Sequence, residues 1–151
     1  IITPNLTEAA LLLDEPYIAT PDAEGIVRLL RELSRLGPGT VVITGIPDRG
    51  DDGRFCVMAR DGTDGSIWKS SYTGIPQYYP GTGDAFASVA AGAILQGDSL
   101  PMAVERAVHF VSAAIRTSYG YRSPAREGVC LERVLETLSL PLPYCSFERI
   151  D

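Results

Sequence analysis

The sequence predicts an α/β fold, and three observations carry that reading. Val41-Val42-Ile43 is a short β-branched run without polar alternation, the pattern of a strand covered on both faces. An amphipathic helix precedes it, with Ile26, Leu29, Leu30, Leu33 and Leu36 at helical spacing. From Gly83 onward the character is helical, through the Ala-rich run Ala85 to Leu95 and the periodic stretch Pro101 to Thr117. A helix leading into a doubly covered strand is the order of a layered α/β arrangement.

Taken in chain order, Ile1-Ile2-Thr3-Pro4-Asn5 reads as the end of a buried strand running into a turn. Proline cannot donate to a sheet ladder, and it biases the preceding residue toward extended backbone. A chain rarely opens at such a place, and no initiator Met is present, so a C-terminal piece of a longer protein is expected. Leu6 to Leu13 suits a short helix with Thr7 and Glu8 in its first turn. Thr20-Pro21-Asp22 predicts the next helix, with Thr20 as cap and Pro21 at the first helical position, ending at Gly37-Pro38-Gly39. Thr44-Gly45-Ile46-Pro47 closes the buried strand. Two further strands are expected at Gly53 to Ala59 and Ser66 to Tyr72, joined by the turn cluster Asp61 to Gly65 and forming an antiparallel edge. Val129 to Leu138 predicts a third C-terminal helix, and Pro141 to Asp151 has no clear period.

At 151 residues the chain suits one domain or a piece of one, since about 150 residues is a typical domain length. Hydrophobic residues make up 45% and charged residues 21%, which excludes a disordered tail, a collagen-like fibre and a coiled coil. The net charge of −6 opposes the counterion release that drives nucleic-acid binding, so no nucleic acid is expected as a partner. The most apolar stretch, Ala85 to Leu95, falls short of the roughly 20 residues that span a bilayer, and no membrane association is expected. Cys56, Cys130 and Cys145 are odd in number and widely spaced, which suggests neither a disulfide framework nor a zinc site and fits a reducing, cytoplasmic setting. With His109 the sole histidine, no poly-histidine metal site can form, and this residue in the Pro101 to Thr117 helix reads as packing. Trp68, Tyr72, Tyr78 and Tyr79 read as sheet packing, Arg116, Arg122 and Arg126 as a solvated rim, and Cys56 as core.

Three segments carry possible chemistry. In Pro80-Gly81-Thr82-Gly83-Asp84-Ala85-Phe86, glycines precede a helical run, and the unpaired N–H groups of a helix start can receive phosphate. The plainer alternative is a turn with Asp84 as a cap. No lysine is present here, so the segment is not a Walker loop. In Thr3-Pro4-Asn5-Leu6-Thr7-Glu8, Asn5 and Glu8 share one helical face and could support the water shell of Mg²⁺, or could simply cap the helix. In Val42-Ile43-Thr44-Gly45, a hydroxyl stands at the carboxyl end of a strand, where ligands of open α/β sheets collect. All three fall at what would be one edge of a sheet.

The order Thr-Pro-Asn-x-x-Glu, a strand ending Thr-Gly, and Gly-Thr-Gly-Asp opening an Ala-rich helix resembles the C-terminal half of the ribokinase-like superfamily. Within it, the chain is similar to the pyridoxal/pyridoxamine kinases over Ile1 to about Leu138. Sugar kinases of this fold usually carry Gly-Ala-Gly-Asp preceded by Asp-Thr, and hydroxymethylpyrimidine phosphate kinases usually place Cys where Asp84 stands. The resemblance implies the C-terminal portion of a three-layer α/β/α sandwich, with residues 1–151 as the ATP-binding half and the N-terminal half absent. It implies ATP-dependent phosphorylation of the 5′-hydroxymethyl group of pyridoxal, pyridoxine or pyridoxamine, the fragment itself being inactive. The partners implied are ATP, Mg²⁺ and a B6 vitamer, with a homodimer in the full-length protein.

Residue by residue, the resemblance implies Asp84 as the base that takes the hydroxyl proton and the Gly81, Thr82 and Gly83 backbone as an anion hole. It implies Asn5 and Glu8 in the Mg²⁺–phosphate network, Thr3 and Glu8 at cations, Thr44 at ATP phosphate and Ile75 at the adenine pocket. Gly45 departs from the hydroxyl residue often found beside Thr44. Two alternatives stay open: another ribokinase-like kinase, acting on a sugar or hydroxymethylpyrimidine, and a non-catalytic nucleotide-binding or interaction module.

Overall fold

A computed structural model describes residues 1–48 and 53–150. They fall into two compact units, Ile1–Ser71 with Phe147–Asp151, and Tyr72–Ser146.

In the first unit, the strand-like opening pairs in parallel with the central strand β1 (Val41–Pro47), through Ile2 opposite Val41 and Asn5 opposite Thr44. Helix α1 (Leu6–Leu13) follows at the predicted bounds. Helix α2 (Ala23–Arg35) starts later than expected, because Asp22 and not Thr20 is the cap: its Oδ1 accepts the Gly25 N–H at 2.8 Å. Strands β2 (Arg54–Arg60) and β3 (Ile67–Thr73) each begin one residue beyond expectation, on either side of the Asp61 to Gly65 turn. The sheet order is β1-β2-β3-β4, with β1 and β2 antiparallel. The edge is therefore not β3 but β4 (Glu148–Arg149), drawn from the tail and antiparallel to β3. Phe147 meets Trp68 edge-on at 5.8 Å between ring centroids, which helps seat that strand.

The core of this unit follows from the strand and helix periods. Val41 and Ile43 face Ile26, Leu30 and Leu33 of α2 and Leu6 and Ala9 of α1, together with Cys56, Met58 and Ile67. Each large aliphatic side chain so buried stabilises the fold by about 1.5–3 kcal/mol. Val42, Val57 and Ala59, on the alternate face, are buried as well, as the unalternating run predicts. Strand β1 has a parallel neighbour on one side and an antiparallel one on the other, so this is a mixed sheet rather than a purely parallel one.

The second unit is built on α3 (Thr82–Leu95) packed along α4 (Leu100–Gly120). Small residues, Ala90 and Ala93 of α3 and Ala103, Ala107 and Ala114 of α4, are buried. The predicted helix Val129 to Leu138 is not formed. Short 3₁₀ turns at Leu131–Arg133 and Leu135–Ser139 replace it, preceded by another at Ala125–Glu127. Val134, at φ −122°, breaks the helical path, and Val129, Val134 and Thr137 are β-branched residues that give little helical support. Val134 is instead buried with Phe110 and Ala114, with Val129 and Leu138 packed against them.

Glu105 on α4 is fully buried and held by the Ser146 N–H at 2.8 Å and the Ser146 hydroxyl at 3.1 Å. His109 Nε2 lies 3.3 Å from the same carboxylate, and its ring meets Tyr144 edge-on, so His109 is the packing residue expected. Arg116, Arg122 and Arg126 are exposed, as a rim requires, and Cys56 is buried. Tyr79 is buried, whereas Tyr78 is 80% exposed and packs no sheet. Among the described residues, no helix is long and apolar enough to cross a membrane.

Candidate functional site

In the first unit, the parallel pairing of the opening segment with β1 brings Thr3, Asn5, Glu8 and Thr44 to one end of the sheet. The Thr44 N–H donates to Pro4 O at 3.0 Å, which sets Thr44 beside Asn5. Asn5 and Glu8 form a complete capping box: Asn5 Oδ1 accepts the Glu8 N–H and Glu8 Oε2 accepts the Asn5 N–H, both at 2.9 Å. The capping alternative is thus realised, and it takes the single side-chain oxygen of Asn5 and one of the two of Glu8. Thr3 and Glu8 also line a shallow depression of about 480 Å³ with Pro4, Leu11 and Leu12.

The donors of this region suit Mg²⁺ in one manner only. Mg²⁺ is commonly held by one or two carboxylates, several waters and substrate phosphates. Glu8 supplies one carboxylate, and among the described residues no group of three or more His, Cys, Asp and Glu side chains could hold a metal. The residues fit an ion shared with a nucleotide, not one caged by protein alone.

In the second unit, the start of α3 is built differently. Its N-cap is Gly81 at φ 84°, a left-handed conformation that glycine adopts without steric cost, and no side chain caps the helix. The first closing bond runs from the Ala85 N–H to Gly81 O at 3.1 Å. The N–H groups of Gly81, Thr82, Gly83 and Asp84 have no protein acceptor among the described residues. The Thr82 hydroxyl donates back to Tyr79 O at 3.2 Å and tightens the turn.

Asp84 sits at the third helical position, where it does not cap, so the plainer alternative for this residue fails. Its carboxylate is exposed and has no hydrogen-bond or ion-pair partner among the described residues. With Gly81 it lines a largely apolar groove of about 590 Å³ that runs between α3, α4 and the C-terminal turns. Phe110, Leu131 and Leu135 also line it, and sequence reasoning missed them. The signal available was the series Ala85, Val89, Ala93 and Ser88, Gly92, Gln96, which puts one stripe of α3 on that groove. Ile75 is half-buried in the irregular run after β3 and does not line the groove.

Comparison with known proteins places the chain in a family. Residues 1–127 match the phosphomethylpyrimidine kinase family. The hydroxymethylpyrimidine/phosphomethylpyrimidine kinase of Mycobacterium tuberculosis is 34% identical over 124 residues, covering 79% of this chain and 42% of that protein. A candidate phosphomethylpyrimidine kinase from Bacteroides thetaiotaomicron, crystallised with pyridoxal, aligns with a TM-score of 0.93 at 45% identity, covering 99% of this chain and 52% of that one. Pyridoxal kinase from Lactobacillus plantarum aligns at 0.77 and 30% identity, covering 91% of this chain and 48% of that one. The chain spans about half the length of these solved relatives and less than half that of the curated ones. Its α/β fold is the ribokinase-like one expected, seen in the portion these kinases share with it. With the match running from residue 1 to residue 127, the chain belongs to the phosphomethylpyrimidine kinase family.

Proposed function

We propose that the protein containing this chain transfers the terminal phosphoryl group of ATP to the 5′-hydroxymethyl group of pyridoxal, pyridoxine or pyridoxamine, residues 1–151 serving as its ATP-binding half. One observation carries the reading: the Asp84 carboxylate, without a partner among the described residues, opens on a groove at a helix start whose N–H groups find no acceptor among them either. An alcohol is a weak nucleophile, so a carboxylate within reach accepts its proton as the bond to phosphorus forms. The backbone N–H groups of Gly81, Thr82 and Gly83 meet negative charge on the transferring phosphoryl oxygens, and they are already oriented before the reaction begins.

Asn5 and Glu8 are assigned to the Mg²⁺–phosphate network, Thr3 to a cation contact, Thr44 to an ATP phosphate and Ile75 to the adenine. Bound there, Mg²⁺ supplies charge neutralisation on the phosphates. The choice of a B6 vitamer is supported by the pyridoxal in the Bacteroides relative and, through the resemblance, by Asp84 standing where hydroxymethylpyrimidine phosphate kinases usually carry Cys. The three thiols are free, which suits the proposed cytoplasmic setting.

A second acceptor is favoured by one finding: the Mycobacterium relative is named a hydroxymethylpyrimidine/phosphomethylpyrimidine kinase. Both acceptors present a hydroxymethyl group on an aromatic nitrogen heterocycle, so the base and anion hole serve either. A coupled ADP-release assay on the full-length protein with pyridoxal, hydroxymethylpyrimidine and ribose decides. Preferred turnover of pyridoxal is expected; preference for either other acceptor overturns the B6 reading, and no turnover with any acceptor overturns the kinase reading. The 151-residue chain by itself is expected to show no measurable pyridoxal turnover.

A further inference from the structure

The anion cradle at Gly81 is supported from behind by a piece of backbone far away in sequence. Gly128 has φ 77° and ψ −163°, a region that is essentially glycine's alone. A Cβ built on it would lie 3.3 Å from Pro80 O. That oxygen belongs to the same planar peptide unit as the Gly81 N–H, so displacing one rotates the other. A side chain at residue 128 would therefore press on the peptide that carries the first N–H of the cradle.

The supporting segment is itself anchored. The Gly128 N–H closes a turn onto Ala125 O at 3.1 Å. Two residues on, the Cys130 N–H donates to the hydroxyl of Ser118 at 2.8 Å, and that hydroxyl, fully buried on α4, donates to Ala114 O at 2.8 Å. Leu131 then enters the groove that Gly81 and Asp84 line. A continuous path of backbone and one buried hydroxyl thus runs from α4 to the Pro80–Gly81 peptide.

We propose that residues 125–130, held on α4 through Ser118, buttress the phosphoryl-binding cradle, with Gly128 as the positioning residue that fixes the Pro80–Gly81 peptide plane. This rests on the reading of Gly81 to Gly83 as an anion hole. A misdirected donor weakens stabilisation of charge that develops during transfer more than it weakens binding of ATP, so the effect falls on kcat.

The test compares two alanine substitutions in the full-length kinase. Gly128→Ala lowers kcat by about tenfold with KM for ATP changed by less than about threefold. Gly97→Ala strains another glycine of positive φ, 101°, with nothing within 4 Å of its Cβ, beyond the other end of α3. It lowers the melting temperature and changes kcat by less than about twofold. Ser118→Ala adds no atom and remains folded if Gly128→Ala does not; it lowers kcat by about threefold. A folded Gly128→Ala protein with parental kcat, equal losses from Gly97→Ala and Gly128→Ala, or parental kcat in Ser118→Ala would each overturn the buttress. If the parent protein itself phosphorylates nothing, the kinase reading fails and the buttress is read from the Gly81 and Thr82 amide resonances. These move in Gly128→Ala and stay in Gly97→Ala; unmoved resonances in Gly128→Ala overturn it.

Discussion

The starts of α1 and α3 solve the same problem in opposite ways. Every helix begins with N–H groups that lack an intrahelical acceptor. At α1 the sequence supplies acceptors, Asn5 and Glu8, which close a reciprocal box on each other's backbone. At α3 it supplies Gly81 and no side-chain cap, and the acidic residue of its first turn, Asp84, sits at a position from which it does not cap. The first helix commits the Asn5 oxygen and one Glu8 oxygen to its own cap, which leaves the second Glu8 oxygen for the proposed Mg²⁺–phosphate network. The second leaves donors and a carboxylate available to a ligand.

The sharpest way to break this contrast is Asp84→Asn in the full-length protein. Turnover is expected to fall by about 100-fold or more, in the range for loss of a general base, while KM for ATP stays near the parent value. Because no group among the described residues pairs with this carboxylate, the stability read from melting curves should change by no more than about 0.5 kcal/mol. Parental turnover would remove Asp84 from the role of base, and a large loss of stability would show that it has a structural partner after all.

Asn5→Ala tests the other side of the comparison. Losing the cap is expected to destabilise the protein by about 1 kcal/mol in chemical denaturation. A variant as stable as the parent would mean that the box at α1 is not the stabilising device described.

Cysteine chemistry sharpens the same distinction between sealed and open regions. Burial in β2 pushes the Cys56 thiol up to about 11, against the favourable charge of Lys69. A thiol raised in the folded state keeps its stabilising contribution below the unfolded value, which is about 8.5, and loses it as pH rises through the folded one. Stability should therefore decline above about pH 9. At pH 8 iodoacetamide should modify exposed Cys145 in the native protein and leave Cys56 untouched until unfolding, as mass spectrometry can read. Native labelling of Cys56 would show that the first unit's core is not sealed.

The smallest effect is expected at Glu15. Its side-chain bonds to Arg28, at 2.7 and 2.8 Å, hold its carboxyl below the ordinary value. A carboxylate lowered in this way stabilises above its unfolded pKa and loses that contribution as pH falls through the folded one. The pair is open to solvent and screened by salt, so Glu15→Gln should lower the melting temperature only slightly, and less at high ionic strength. A large shift would mark this ion pair as more than a surface contact.

How far the fold could be read in advance depended on how local its causes were. The bounds of α1 were legible because the Asn5–Glu8 box and the apolar run lie within a few residues. The doubly buried Val41-Val42-Ile43 was legible because lack of alternation itself reports cover on both faces. The helix expected over Val129 to Leu138 was not formed, because contacts with Phe110 and Ala114 outweighed a helical spacing made partly of β-branched residues. The cap at α2 was misplaced by two residues, since Thr20 and Asp22 are both good caps and only the bond to Gly25 distinguishes them.

The amino-acid order alone determined which residue types could do chemistry here: a glycine-rich helix start with one acidic side chain, a capping pair and a strand-end hydroxyl, each a pattern within a single short segment. Tertiary structure decided what those residues were free to do. It set Thr44 beside Asn5 across 39 residues of chain, opened the groove before Asp84, seated the tail on Glu105 and β3, and brought Gly128 against the Pro80 carbonyl. The physical reason is common to all four: a propensity or a cap is settled by neighbours along the chain, whereas an unused donor or a close backbone approach exists only once distant segments have packed.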